Sequence, residues 1–432
     1  MICTVLIFIL LFSIVAGSNG IVSKAESTRA KTTANKAFPQ HSAYTKGTIK
    51  PNHISQAKMD KQVIRLYEEW KNKYVKQNPY NKSQYYVWYS DGDWFKDGDN
   101  DDKIAITVSE AHGYGMLIMA IMAGADKEAK TYFDGMYRYF RAHPSSINKD
   151  LMAWRQGVKE GKVVDISGVD SATDGDMDIA YALLLAHKQW GSKGKINYLL
   201  EGKKIINAIM KEEVNQTNWN LKVGDWASSG AYTTLTRTSD YMMQHLKAFK
   251  KASKDNRWDK VINKTYQIIN YTFKKYSANT GLLPDFLVME QGNFIPPKGT
   301  VLESDADGYM GYNGCRTSWR IATDYIMTGD NRAKSQLDKL NVWIRQKTNN
   351  QPENIRAGYK LDGTLMDGRD YEDMSFSAPF MVSAMVKQTN QKWLNDLWDY
   401  NVAFHTEDNY YFGNTIRVLN AIVVSGNWWS PN

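Results

Sequence analysis

The chain has 432 residues, 43% hydrophobic and 23% charged, with ten prolines and no low-complexity tract. That composition excludes a disordered tail, a collagen, a coiled-coil rod and a string of linkered modules. Two cysteines, Cys3 and Cys315, exclude a disulfide framework and a cysteine-ligated zinc cluster. The formal charge of +8 would suit a nucleic-acid partner, but no basic run or RNA-binding motif accompanies it, so none is expected.

Val5 to Val15 is an apolar run of eleven residues, too short to span a bilayer and of the length of a signal-peptide core. Ser23-Lys24-Ala25 follows as a small-x-small cleavage site. Residues 1–25 therefore read as a secretory leader, 26–50 as an N-terminal extension and 51–432 as a single domain, exported by a bacterial cell and expected to act as a monomer. No later segment approaches eighteen apolar residues, so no membrane partner is expected once the leader is cleaved.

Beyond the leader, helical periodicity dominates. Apolar side chains recur at helix spacing in Met116, Met119, Ala120 and Ala123, in Phe133, Met136, Tyr137 and Phe140, and in Ile179, Leu183, Ala186 and Trp190. The same spacing returns in Met242, His245, Leu246 and Phe249 and in Thr415, Val418, Leu419 and Ile422. It predicts twelve helices, over 57–76, 109–123, 129–142, 175–190, 196–212, 237–252, 256–276, 314–328, 332–348, 376–386, 392–404 and 414–424. Strand-like alternation is scarce. Short turns follow the second, fourth, sixth, eighth and tenth helices, whereas most other connections run to about 24–37 residues. Six helix hairpins closed into a ring would put every long loop on one face, giving an all-α fold, an (α/α)6 barrel with one elaborated end.

The five longest loops, 77–108, 143–174, 213–236, 277–313 and 349–375, hold 24 acidic residues against 12 basic ones. An acidic loop face on a basic helical body follows. Trp88, Tyr89, Trp94, Trp154, Trp219, Trp226, Tyr312 and Tyr371 lie in these loops or at their ends. Flat apolar rings beside carboxylates suit the faces of sugars. The run from Asp97 to Asp102 is similar to a calcium loop but lacks its glycine and its closing glutamate, so no metal is expected. His112, His187 and His245 stand singly in helices and are expected to be structural. No cofactor is expected.

Three segments carry chemistry. Ser109-Glu110-Ala111-His112-Gly113-Tyr114-Gly115-Met116 opens a helix, with Ser109 as its expected N-cap and glycines that admit close neighbours. Ala172-Thr173-Asp174-Gly175-Asp176-Met177-Asp178 sets three carboxylates ahead of an apolar run ending at Trp190. The third is Tyr312-Asn313-Gly314-Cys315-Arg316-Thr317-Ser318-Trp319-Arg320. Together they resemble the hallmarks of glycoside hydrolase family 8, and the resemblance runs from about residue 50 to Trp429.

That resemblance implies an (α/α)6 barrel and an inverting endo-hydrolase of β-1,4-linked polysaccharides. Inversion needs an acid and a base about 6.5–9.5 Å apart, with water between base and sugar. By the resemblance Glu110 is the acid and Asp174 holds the sugar at the point of cleavage, with Tyr114, Trp154, Trp226, Tyr312, Asn313, Arg316 and Tyr371 binding substrate. A carboxylate near Glu110 is expected to raise its pKa by about two units, outweighing the helix N-terminus. Many members have Asp after the Tyr of the third segment; here it is Asn313, which cannot take a proton from water. A second branch, containing chitosanases, lichenases and some cellulases, takes its base from the preceding loop. That loop offers Asp285, Glu290, Glu303, Asp305 and Asp307; Glu303 is the choice, with Asp305 and Glu290 next.

The acidic loop face favours cationic chitosan as substrate, with β-glucan or soluble cellulose as the alternative. A non-catalytic polysaccharide-binding barrel would need the aromatics and no acid–base pair. A lyase acting on uronic acids would need a basic face instead.

Overall fold

A computed structural model describes residues 34–89, 104–166, 168–406 and 410–432. The leader, Trp94 and the Asp97–Asp102 run lie outside the described residues. Among the described residues twelve α-helices carry the fold: α1 Gln56–Tyr74, α2 Ser109–Met122, α3 Ala129–Ala142, α4 Thr173–Trp190, α5 Tyr198–Ala208 and α6 Met243–Ser253. The rest are α7 Arg257–Tyr276, α8 Thr317–Thr328, α9 Lys334–Lys347, α10 Met374–Ala384, α11 Gln391–Ala403 and α12 Tyr411–Val424.

The even-numbered helices pack each on the next, α2 on α4, then α6, α8, α10, α12 and back to α2, so they close an inner ring. Each odd-numbered helix lies outside, against an even-numbered neighbour. Burial follows the ring. In α2, α4, α10 and α12 almost every side chain is buried, as a helix surrounded on all sides requires. Outer helices such as α3 and α7 bury one stripe, with Phe133, Met136 and Phe140 on the first and Trp258, Val261, Ile262 and Ile269 on the second. Truncating a fully buried inner side chain such as Leu183 should cost about 2–5 kcal/mol. This is the predicted (α/α)6 barrel.

Close contact between α2 and α4 depends on two glycines. A β-carbon on Gly113 would lie 2.6 Å from Cβ of Asp178, and one on Gly175 would lie 2.4 Å from Oγ of Ser109. The N-terminal ends of α2 and α4 therefore nearly touch, which matters for the groups they carry.

At the other end of the ring the chain from 34 to 49 crosses the barrel as a strap. Its backbone N–H groups at Phe38, Ser42, Thr45 and Ile49 donate to the carbonyls of Ala123, Gly426, Ile326 and Met385 at 2.7–2.9 Å. These carbonyls lie in or just past the last turns of α2, α12, α8 and α10, where helices leave acceptors unpaired.

The long loops contain strands that helix periodicity did not predict. These are β1 Val75–Gln77, β2 Tyr85–Val87, β3 Ile104–Val108, β4 Arg155–Lys159, β5 Lys162–Asp165, β6 Thr236–Arg237, β7 Phe286–Glu290 and β8 Asn293–Ile295. They form three small antiparallel sheets, β1–β2, β3–β4–β5 and β6–β7–β8. The predicted 237–252 helix starts instead at Met243, because Thr236–Arg237 pairs with Phe286–Leu287 and a single 3-10 turn follows.

Candidate active site

The first turns of α2, α4, α8, α10 and α12 meet at the loop end of the ring. Glu110 lies in the first turn of α2 and Asp174 in that of α4. Arg316 immediately precedes α8. Its Nη1 donates to Glu110 Oε2 at 2.7 Å, to Asp174 Oδ2 at 3.0 Å and to the Tyr114 hydroxyl at 3.0 Å. Its Nη2 donates to Asn313 Oδ1 at 2.7 Å. The Asn313 amide in turn donates from Nδ2 to Glu303 Oε2 at 2.9 Å. One guanidinium and one amide thus join the two carboxyls expected to act as acid and base.

The two carboxylates on Arg316 differ in protonation. Burial raises Glu110 to a pKa of about 7, and Asp174 adds to the rise while Arg316 opposes it. The magnitude matches the expected upward shift, but desolvation is the larger cause and the neighbouring carboxylate the smaller. Glu110 still keeps 18% of its side chain exposed, enough to reach a ligand. For Asp174 burial also opposes charge, yet ion pairs with Arg237 (3.3 Å) and Arg316 and the Gly175 N–H hold its pKa below the usual value. At neutral pH Asp174 is therefore the anion, and Glu110 is the partner poised to carry a proton. The Tyr411 hydroxyl, at the start of α12, donates to Glu110 Oε1 at 3.1 Å.

The expected N-cap at Ser109 is not formed. The cap position is Val108, without a side-chain bond, and Ser109 is already inside α2. Gly175 packs against the Ser109 side chain, and the Ser109 N–H donates to the Trp154 carbonyl.

The substrate-binding set divides. Tyr114 is fully buried and Asn313 and Arg316 nearly so; they lie beneath the carboxyls and fix them rather than lining open space. Tyr312 and the exposed Tyr371 share a hydrogen bond of 3.0 Å between hydroxyls, and Tyr312 also donates to Asp373 Oδ2 at 3.1 Å. Trp226 meets Tyr232 edge-on at 5.2 Å and packs on the apolar cluster of Val223, Ala227, Leu235 and Phe286, against which Val301 and Leu302 also pack. Trp154 lies beside α2 through its backbone, with the Arg155 guanidinium over its ring at 5.6 Å. Trp219 sits instead under Lys260 of α7, at 4.4 Å.

Among the other loop acids, Asp285 and Asp307 are buried. Asp285 accepts from the backbone N–H of Gly311, Asn313 and Gly314. Asp305 is exposed and accepts from Thr300 Oγ1, and Glu290 ends β7 at a hairpin tip. Glu303 alone of the five accepts from the side-chain amide of Asn313; Asp285 binds only its backbone N–H. Sequence reasoning missed Arg237 and Tyr411. Arg237 lies in a two-residue strand within a segment read as helix, and Tyr411 is one tyrosine among 26. No cluster of His, Cys, Asp and Glu suited to a metal occurs among the described residues. His245 is bound to Asp178 at 2.8 Å and His112 stacks on Tyr139.

Comparison with known proteins bears on the family and the fold. The sequence model of glycosyl hydrolases family 8 matches residues 38–425. The chain is 51% identical to a β-glucanase of Niallia circulans over 92% of both chains. It is 38% identical to an endoglucanase of Bacillus sp. (strain KSM-330), covering 96% of this chain and 86% of that one. A solved β-1,3-1,4-glucanase from Paenibacillus sp. X4 superposes with a TM-score of 0.86 at 49% identity, over 92% of this chain and all of that one. Rex8A of Paenibacillus barcinonensis, solved with xylose, shares the fold at 14% identity, with a TM-score of 0.70 over 88% of this chain and 96% of that one.

Proposed function

The chain belongs to glycosyl hydrolases family 8 and is a glycoside hydrolase; from that premise we propose that it is an inverting endo-β-glucanase acting on β-1,3-1,4-linked glucan. The observation that carries the mechanism is the connection Glu110–Arg316–Asn313–Glu303. Glu110, protonated below pH about 7, gives its proton to the glycosidic oxygen as the bond to the anomeric carbon breaks. Glu303 takes a proton from a water molecule whose oxygen bonds to that carbon from the opposite face. The ionised Asp174, held by Arg237 and Arg316, stabilises the positive charge that develops on the sugar ring. Asn313 orients Glu303 and leaves the proton transfer to it.

Substrate choice rests on the relatives, whose names are β-glucanase, endoglucanase and β-1,3-1,4-glucanase. The case for chitosan depended on acidic loops facing the cleft. Asp225, Asp285 and Asp307 are buried and accept backbone N–H bonds, so part of that negative charge is turned inward. A polymer this large cannot cross a membrane, which supports action outside the cell.

The test is reducing-sugar release from barley β-glucan, lichenan, carboxymethylcellulose and soluble chitosan under one set of conditions. The mixed-linkage glucans should be cleaved at least about tenfold faster than chitosan, a ratio that pocket contacts readily supply. A preference for chitosan would overturn the substrate assignment.

A further inference from the structure

Glu303 lies on no helix or strand, and its side chain is exposed. A group that must meet one water molecule has to be held to a fraction of an ångström. Asn313 fixes its carboxylate, but something must fix the backbone that carries it. The buried carboxylate of Asp307 occupies that place. Its Oδ2 accepts from the N–H groups of Val301 (2.9 Å), Leu302 (2.8 Å) and Glu303 (3.1 Å), and its Oδ1 accepts from that of Ser304 (2.8 Å). Four successive backbone amides thus converge on one side chain. Asp307 is itself tied to β7, because the Phe286 N–H donates to its carbonyl at 2.9 Å.

We propose that Asp307 is a positioning residue for catalysis, the anchor that winds the 301–304 turn and so aims Glu303 at the attacking water. The proposal rests on the reading of Glu303 as base. A carboxylate offers about four lone-pair sites on two oxygens, whereas the amide of Asn offers one oxygen and turns an NH2 toward the remaining donors. Asp307→Asn therefore leaves some of the four amides unpaired. The turn does not depend on Asp307 alone, since Val301 and Leu302 pack against an apolar cluster of Val223, Ala227, Leu235 and Phe286. Loss of the anchor should loosen the aim of Glu303 while the barrel stays folded.

The experiment compares wild type, Asp307→Asn, Asp307→Glu and Glu303→Gln on barley β-glucan, measuring kcat, KM and the pH dependence of kcat/KM, with folded enzyme quantified by circular dichroism. Asp307→Asn should lower kcat about tenfold to a hundredfold, the scale of a misaimed catalytic group, with KM nearly unchanged. The acidic limb of its pH profile, which reports the base, should move, and the basic limb, which reports Glu110, should stay. Asp307→Glu, which keeps both acceptor oxygens, should recover part of the loss, and it gives the same comparison where Asp307→Asn is recovered poorly. Wild-type kcat in Asp307→Asn, or a fall with both limbs in place, would overturn the proposal while an inactive Glu303→Gln leaves the base assignment intact. An active Glu303→Gln would overturn both.

Discussion

Asn313 donates from its amide to the carboxylate of Glu303 at 2.9 Å, in the place where many relatives are expected to carry the base itself. In the proposed mechanism the amide supports a carboxylate delivered by a loop. A carboxylate at 313 would sit within about 3 Å of the one at 303, hydrogen-bond range. Glu303→Gln should lose at least about a hundredfold in kcat, the usual scale for an acid or base. Adding Asn313→Asp to Glu303→Gln should return part of that loss. Steady-state kinetics of the single and double variants checks this, and a double variant no better than the single one would separate position 313 from the water.

Glu110 must hold a proton to act as an acid, and its pKa is raised to about 7. Activity should therefore fall as pH rises through about 7. Glu110→Gln should lose about 10²–10⁴-fold in kcat and should no longer show that limb. The measurement is kcat against pH on β-glucan for both proteins.

Arg316 serves Glu110, Asp174, Tyr114 and Asn313 with two nitrogens of one rigid fork. A lysine keeps the charge but is a single point on a flexible stem. Arg316→Lys should therefore reduce kcat at least about a hundredfold, as misplacement of the reacting groups by about 1 Å does, and should lower the melting temperature, because buried partners of the fork lose their donors. Kinetics and a melting curve on the same preparation check it.

Burial raises several carboxyls in and below the site, among them Glu110, Asp240 and Asp285 to about 7 and Glu213 to about 8. Each binds its proton more tightly folded than unfolded, where carboxyls titrate near 4. Their contribution is complete below about pH 4 and is lost as pH rises to about 8. The melting temperature should decline from pH 5 to pH 9. Glu213→Gln should flatten that decline, and calorimetry across the range measures both.

The barrel was legible because its signal is long and repeated. Stripes such as Met116, Met119, Ala120 and Ala123 mark helices by period alone, and the alternation of short and long connections gives the hairpin order. Glu110, Asp174 and Arg316 were legible because they stand in dense motifs at helix starts. The β6–β7–β8 sheet was not, since Thr236–Arg237 is too short for any alternation to register. Arg237 was hidden with it. The acidic loops were read as a charged face, but Asp285 and Asp307 face inward to bind backbone amides. Sequence counts carboxylates without telling a surface charge from a buried acceptor.

The central claim is that Glu110 and Glu303 act from opposite faces of one anomeric carbon, with water as the attacking group. Proton NMR of the first products released from β-glucan tests it most directly. The α-anomer should appear first and then mutarotate, because direct attack by water inverts the centre. Initial release of the β-anomer would contradict the account.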